Sequence, residues 1–359
     1  MRNISFLLFD ACTSPGGGYK IIFEHANRLV AQGYIVNIIC PASINWSEGS
    51  LYYKAKCIYG YFLRKYKKSL GYDCHNWFNI DKRVKFYWTY SLNYRHVPKS
   101  DVYIATEVRT STYLNSYPVD NSSKFYFIQD FENWFVSEEY VRNTYHYKMN
   151  KIVITNWLKN IIEEEGESCT IIPNGFNFEE FKLTNPVESR DRYTLSMLYH
   201  LQVRKDCNTA IKAIEIVKQR YPQLKVLTFG SCPNPGLPEW FVYYQKPSSN
   251  DHLMINNNAS IYVGSSKVEG FGLTIGEAML CGEAVACTDN LGYREMAKQG
   301  ATALLSPIQN PQALADNIIT LIENDELRCK LAYNGLAFIK ENFDWGKSST
   351  LFRQVLNDR

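Results

Sequence analysis

At 359 residues, with 45% hydrophobic and 21% charged residues and a formal net charge of +3, the chain has room for two ordinary domains and is not a disordered polyelectrolyte. Its ten cysteines include no C-x-x-C pair and no Cys/His cluster at zinc-ligand spacing, so they read as reduced, structural thiols of a cytoplasmic protein. Residues 1–9 carry one arginine and no small-residue cleavage site, which suits a first strand and not a signal peptide, and no apolar run approaches the roughly 20 residues of a membrane span.

Residues 4–9 form a continuous apolar run of the kind a central parallel strand needs. Ser14-Pro15-Gly16-Gly17-Gly18 breaks it. Residues 19–32 follow with Ile22, Ala26, Leu29 and Val30 on one helical face, stopped by Gly33, and residues 34–40 are the next strand. The glycine turn of this βαβ unit falls at the carboxyl end of its first strand, where open α/β sheets bind ligands. Neither G-x-G-x-x-G spacing nor a Walker lysine accompanies it, so NAD and ATP are disfavoured, and plain turn chemistry competes as its explanation.

Residues 51–99 are the least regular part and carry eleven lysines and arginines against Asp73 and Asp81. Within 52–68, basic and aromatic side chains interleave, a surface suited to an anionic membrane face or lipid headgroup; a solvated helix over core tyrosines is the plainer reading. No nucleic-acid recognition module accompanies it, so nucleic acid is not an expected partner. Residues 101–106 and 124–129 read as strands. Asp130 and Glu132 share the spacing of a D-x-D metal motif without other support for a metal, and a polar lining of a cleft is expected. A strand at 152–155, a helix at 157–165 and a strand at 171–176 complete a first domain, residues 1–176.

The second domain, residues 177–343, starts its regular structure near Tyr193. A strand at 196–201 holding His200 leads through a turn at 203–206 to a helix at 207–220 and a strand at 225–229. A loop at 245–250 and a helix at 251–257 precede the most informative stretch, EGFGLTIGEAMLCGEAVACTD, residues 269–289. Here a strand (261–264) runs into the loop Glu269-Gly270-Phe271-Gly272, then a short apolar helix ending at Gly282, then a strand (284–287). The glycines let backbone amides approach phosphate oxygens, and Glu269 and Glu277 supply carboxylates for sugar hydroxyls. Glu277 is expected in the first helical turn, where the helix dipole alone would favour it. A strand at 303–305 and helices at 311–323, 325–343 and 345–356 close the chain, the last (about 344–359) packing back on the first domain.

EGFGLTIGEAM, the linker IIPNGFNFEEF (residues 171–181) and PGGGYKIIFEHANRLVAQGYIV (residues 15–36) together resemble glycosyltransferase family 4, whose members are retaining enzymes. YHLQVRKD (residues 199–206) and FYFIQDFENWF (residues 125–135) resemble its hexosyl- and rhamnosyltransferases of bacterial surface polysaccharides. The resemblance implies an α/β GT-B fold, two Rossmann-like βα domains facing a central cleft, the first for acceptor and the second for nucleotide-sugar. It places Glu277 on the donor ribose, Glu269 on the transferred sugar, and the amides of Gly270, Phe271, Gly272 and Leu273, with Thr274 beside them, near sugar and diphosphate. Lys205 matches a phosphate-binding lysine. The arginine usual five residues earlier is His200 here, with Arg204 as substitute. Gly17 and Gly18 match a loop closing on the phosphates, and Gln129-Asp130 stand where relatives place a sugar-contacting histidine.

The implied activity is metal-independent transfer of a hexose, rhamnose among the candidates, from a nucleotide-sugar to a growing lipid-linked polysaccharide, with no cofactor, in the cytoplasm or peripherally at the inner membrane face. Fixed cations and oriented amides at the departing diphosphate suffice for such chemistry. Two other readings stay open: a sugar-nucleotide 2-epimerase of the same fold, and a catalytically silent nucleotide-sugar-binding module. Arg204 and Lys205 as plain surface charges, and His200 as a core histidine, are the bland alternatives for those positions.

Overall fold

Alternating apolar strands and amphipathic helices force parallel sheets covered on both faces, and a computed structural model of the chain has two. Residues 2–45, 49–67 and 71–357 are described. They divide into unit 1, Met1–Pro173 with Ser348–Arg359, and unit 2, Asn174–Lys347.

Unit 1 contains β1 (Asn3–Leu7), α1 (Gly17–Ala31), β2 (Ile35–Pro41), α2 (Leu51–Tyr66), β3 (Lys85–Thr89), β4 (Val102–Ala105) and α3 (Val108–Asn115). It continues with β5 (Lys124–Ile128), α4 (Glu138–Tyr145), β6 (Asn150–Val153), α5 (Asn156–Glu164) and β7 (Thr170–Ile171). The sheet order is β3-β2-β1-β4-β5-β6-β7, and the neighbouring strands pair parallel. Phe6 lies across from Ile38 on one side and Ile104 on the other, so β1 is buried on both edges and both faces. The last helix, α11 (Trp345–Asn357), joins unit 1 from Ser348 onward. Its fully buried Phe352 stacks on Phe6 and on His25.

Unit 2 contains β8 (Thr194–Leu198), α6 (Cys207–Arg220), β9 (Lys225–Gly230), β10 (Phe241–Gln245), α7 (Ser249–Asn258) and β11 (Ile261–Gly264). Then come α8 (Leu273–Leu280), β12 (Ala284–Thr288), β13 (Ala303–Ser306), α9 (Pro311–Glu323) and α10 (Asp325–Asn342). Its sheet, also parallel, runs β10-β9-β8-β11-β12-β13. These two doubly wound sheets are the Rossmann-like pair of the GT-B fold.

Several expectations are corrected. Residues 51–99 are not irregular: they hold α2 and β3. α2 escapes a periodicity search because it buries no residue fully and its inner face mixes Tyr53, Cys57 and Tyr61 with Lys54 and Arg64. Lys68, the end of the basic–aromatic stretch, lies outside the described residues. Gly17 and Gly18 are not loop but the first residues of α1, whose N-cap is Gly16. The strand expected at 171–176 shrinks to Thr170–Ile171, since Pro173 cannot extend a ladder. β8 ends at Leu198, so His200 lies beyond the strand, half-buried. Glu277 is the fifth residue of α8, past the first turn, so the dipole explanation does not apply to it. All ten cysteines are free thiols. Among the described residues, no helix is long and apolar enough to cross a membrane.

Candidate functional site

Unit 2's strand order reverses between β8 and β11, the place where a doubly wound sheet opens a crevice at its carboxyl edge. The loops leaving those two strands carry the expected residues. After β8 the chain bends through His200, makes one 3-10 turn at Val203–Lys205, and swings into α6 through Asp206, held in the left-handed region at φ 44°. Such a conformation costs a non-glycine residue about 1 kcal/mol or more and is kept where surrounding structure dictates it. After β11 the chain runs Ser265-Ser266-Lys267-Val268-Glu269 before the glycines.

Two cross-links fasten these loops together. The Lys267 amide donates to the Arg204 carbonyl at 2.8 Å. The Ser265 hydroxyl donates to the Lys205 carbonyl at 3.1 Å. The side chains meet on this frame: the Lys205 ammonium donates to both oxygens of the Glu269 carboxylate, at 2.6 and 2.8 Å. Glu269 is buried, and its Oε1 also accepts from the Ser266 hydroxyl at 2.6 Å. Ser266 in turn accepts from the Tyr293 phenol at 3.2 Å. The Ser266 carbonyl is gripped by the Thr288 hydroxyl at 2.6 Å and the Asn290 side-chain amide at 2.9 Å. Tyr293 is buried, and burial, followed by the nearby Glu269 charge, raises its phenol far above the ordinary range. It therefore stays protonated, and because the Ser266 proton goes to Glu269, the phenol is the donor in its contact with Ser266.

His200 belongs to the same group. Its pKa is lowered by burial first, then by the positive charges of Lys205 and Arg204, with Glu269 opposing. Its Nδ1 accepts from the Gln202 amide at 3.0 Å. A neutral ring thus stands beside two cations. Arg204 is half-buried, with its Nε on Gln202 Oε1 at 3.2 Å.

The glycine loop is built for close backbone approach. Gly272 caps α8 at φ 93°, without a side-chain cap on the helix amides. A Cβ there would come within 2.6 Å of the Tyr293 ring. Gly292, which the sequence reading gave no role, comes so near Glu269 that a Cβ would meet its carbonyl oxygen at 2.2 Å. Phe271 is buried and turns its ring into unit 2's interior against Phe176 and Phe343. Gly270 is buried beside it, Leu273 and Thr274 are half-buried at the start of α8, and Thr274 hydrogen-bonds the buried Tyr262. Glu277 is buried in α8's second turn.

Gly17, Gly18 and Asp130 belong to unit 1 and form a separate group at the carboxyl edge of its sheet. A Cβ on Gly18 would touch the Gln129 side chain at 3.5 Å. Asp130, nearly buried, accepts from the Phe131 amide at 2.9 Å, and Glu132 accepts from the Val108 amide at 2.6 Å at the start of α3. Burial, then Glu107, pushes the Glu132 carboxyl well above its usual range. Glu107 caps α3 and pairs with Arg109 at 2.8 Å. Arg109 lies 4.9 Å above the exposed Phe135 ring. Sequence reasoning missed Ser266, Asn290, Gly292 and Tyr293 in unit 2, and Glu107 and Arg109 in unit 1. The one signal they gave was position, just beyond strand ends.

Residues 179–338 match the family of glycosyl transferases group 1. The chain is 25% identical over 209 residues to the phosphatidyl-myo-inositol mannosyltransferase of Mycobacterium tuberculosis, covering 54% of this chain and 55% of that protein. It is 22% identical over 205 residues to the capsular polysaccharide biosynthesis glycosyltransferase CapM of Staphylococcus aureus, covering 52% and 54%. The chain thus spans about half the length of the curated relatives it matches. In fold it is similar over its full length to Anabaena Alr3699/HepE, solved with UDP and glucose, at a TM-score of 0.72 and 17% identity, covering 100% of both chains. A point mutant of S. aureus TarM, solved with fondaparinux, alpha-GlcNAc-glycerol and UDP, superposes at a TM-score of 0.73 with 12% identity, covering 99% of this chain and 100% of that one. The protein has the GT-B fold, and the stretch that matches the group 1 glycosyl transferases, residues 179–338, lies in its second unit.

Proposed function

We propose that the chain is a retaining glycosyltransferase of family 4. It moves a hexose, rhamnose included, from a nucleotide-diphosphate sugar to a growing lipid-linked surface polysaccharide, without metal or cofactor, at the cytoplasmic face of the membrane. The observation that carries this reading is the Lys205–Glu269 pair, an ammonium held at 2.6 and 2.8 Å from a buried carboxylate beside a glycine loop at the strand-order reversal. In the free chain Glu269 occupies the cation. A diphosphate arriving at the crevice offers Lys205 a better-charged partner and frees Glu269 for the hydroxyls of the attached sugar.

When the bond from the anomeric carbon to the phosphate oxygen breaks, its electron pair stays on the diphosphate. Lys205, Arg204 and the amides of Gly270–Leu273 stabilise that charge, an effect worth several kcal/mol when donors are fixed in advance. The acceptor hydroxyl attacks from the same face, and its proton passes to the departing phosphate oxygen, so configuration is retained without an enzymic nucleophile. His200, kept neutral, can hydrogen-bond a phosphate or hydroxyl, and Glu277 takes the ribose hydroxyls. The named activities of the mycobacterial and staphylococcal relatives, and the UDP and glucose of the Anabaena structure, support a nucleotide-sugar donor and a glycan-building role.

The test is incubation with dTDP-, UDP- and GDP-sugars and a lipid-linked saccharide, with chelator present, followed by assignment of the product's anomeric configuration. Transfer with retention is expected. An isomerised donor without transfer points to the epimerase, and binding without turnover to a silent module; either overturns the proposal.

A further inference from the structure

We propose that Asp10, Arg109 and Phe135 form a site in unit 1 for an uncharged pyranose of the acceptor. The proposal rests on the reading of the chain as a glycosyltransferase: transfer needs a second substrate, and unit 2's crevice is taken by the first. Unit 1's sheet has its own strand-order reversal, between β1 and β4, and so its own crevice at the carboxyl edge. The three residues lie on segments that follow strand ends there. Asp10 stands just beyond β1, Arg109 in the first turn of α3 beyond β4, and Phe135 beyond β5. Rings and charge draw them together. The Arg109 guanidinium lies 5.6 Å from the centre of the Phe9 ring and 4.9 Å from that of Phe135. Tyr19 stacks on Phe9 at 5.4 Å, and its phenol donates to Oδ1 of Asp10. Desolvation raises the Asp10 carboxyl, and Tyr19, then Arg109 and Arg64, lower it, so the Arg109 charge reaches that group.

What each group has left to offer defines the ligand. Arg109 donates to the Glu107 carboxylate through Nε at 2.8 Å, and among the described residues its two terminal nitrogens have no acceptor. Tyr19 occupies Oδ1 of Asp10, which leaves Oδ2. A hydroxyl both donates and accepts, so one sugar hydroxyl can give its proton to Asp10 and take one from Arg109. A carboxylate can only accept, and it would meet the Asp10 charge. An ammonium can only donate, and it would meet the guanidinium. Phe135 is 65% exposed, with Arg109 over its ring, and offers the rest of its surface to the C–H face of a pyranose. A phosphate suits the site poorly, because Glu107 already neutralises the arginine and Asp10 stands beside it.

The test is saturation-transfer NMR on the full chain without donor. The neutral probes are the methyl α-pyranosides of D-glucose, D-mannose and L-rhamnose, and the acidic probe is methyl α-D-glucopyranosiduronate. Saturation of the ring C–H protons of at least one neutral probe is expected, with weaker binding of the uronate. Asp10→Asn should weaken the neutral probe about fivefold to tenfold, the share of a hydrogen bond that charge supplies. It should also narrow the gap to the uronate, a change in selectivity that a merely structural role would not produce. Phe135→Ala should weaken binding about fivefold, with the unfolding midpoint held because the ring is exposed. In a transfer assay the same two variants should raise the acceptor KM by those factors and leave the donor KM unchanged. Saccharide binding that the variants lose, in a chain that transfers nothing, supports the site and counts against the proposed function alone. Transfer at wild-type acceptor KM in both variants, uronate bound as well as the neutral probes, or saturation of no neutral probe overturns the proposal.

Discussion

At the scale of single residues, Lys205 and Glu269 form a pair whose members have different supports. Lys205 stands at the end of a flexible stem, whereas Glu269 is fixed by the Ser266 hydroxyl, which is itself aimed by Tyr293. Replacing Lys205 by alanine leaves that support in place and removes the cation, so transfer should fall at least about a hundredfold, the usual loss for one fixed charge or donor at a leaving group. The unfolding midpoint should fall as well, because the buried Glu269 carboxylate loses its countercharge and keeps only the Ser266 hydroxyl, so the rate is compared in protein shown to be folded. Steady-state kinetics equal to wild type would remove Lys205 from the leaving group. Tyr293→Phe acts at one remove: it takes the proton from the Ser266 contact without changing the ring that packs under Gly272. The turnover number should drop by about tenfold with donor KM nearly unchanged, since supporting hydrogen bonds set the orientation of a reacting group more than its affinity. A parallel rise in KM would make Tyr293 part of donor binding instead. The two acids were legible because a glycine loop at a strand end frames them; Ser266 and Tyr293 were not, since a hydroxyl acting through another side chain leaves no spacing in the sequence.

At the scale of elements, α8 is short because it is wedged. Its glycines are the places where neighbours come closest: a Cβ on Gly276 would sit 2.1 Å from the Phe176 ring and 2.9 Å from the Met296 sulfur. Gly276→Ala should destabilise unit 2 by about 1–3 kcal/mol through overpacking, read as a lower midpoint in urea. Gly272→Ala adds backbone strain at φ 93° to a collision with Tyr293, and so should cost both stability and turnover. An alanine at position 276 that left stability intact would mean that α8 can shift from Phe176. Element legibility follows sheet position. Central strands such as β1, β5 and β12 are buried on both faces and give unbroken apolar runs. The overlooked strands, β3 and β10, each lie at one edge of a sheet, and their half-exposed sequences, KFYWT and FVYYQ, lack that signal, whereas β13 at the opposite edge of its sheet is mostly buried and was read. α3 and α4, eight residues each, are defined more by caps at Glu107 and Ser137 than by an apolar face.

At the scale of the whole molecule, the buried ionisable groups set a pH response that the sequence does not announce, because it depends on which side chains end up without water. In unit 2, Glu283 is fully buried at the foot of β12, bonded to the Ser196 hydroxyl, and burial raises its pKa to about 8. In unit 1, His25 is packed against Phe352, and burial lowers its pKa to about 3. Between about pH 4.5 and 8 the unfolded chain ionises Glu283 while the folded chain keeps its proton. The folded state then binds more protons, and stability falls as pH rises. For His25 the unfolded chain holds the extra proton between about pH 3 and 6.5, so that group adds stability as pH rises, and it contributes no slope above 6.5. The two slopes oppose each other up to about pH 6.5; above it the Glu283 carboxyl acts without opposition from His25. From pH 6.5 to 8, Glu283 alone should remove about 2 kcal/mol, at roughly 1.4 kcal/mol per pH unit. Glu283→Gln keeps an acceptor for Ser196 and cannot ionise, so its urea midpoint should fall less over that window and stand above wild type at pH 8. A wild-type midpoint that is level from pH 6.5 to 8, or a variant that falls just as steeply, would mean that Glu283 ionises in the folded chain and that water reaches the foot of β12.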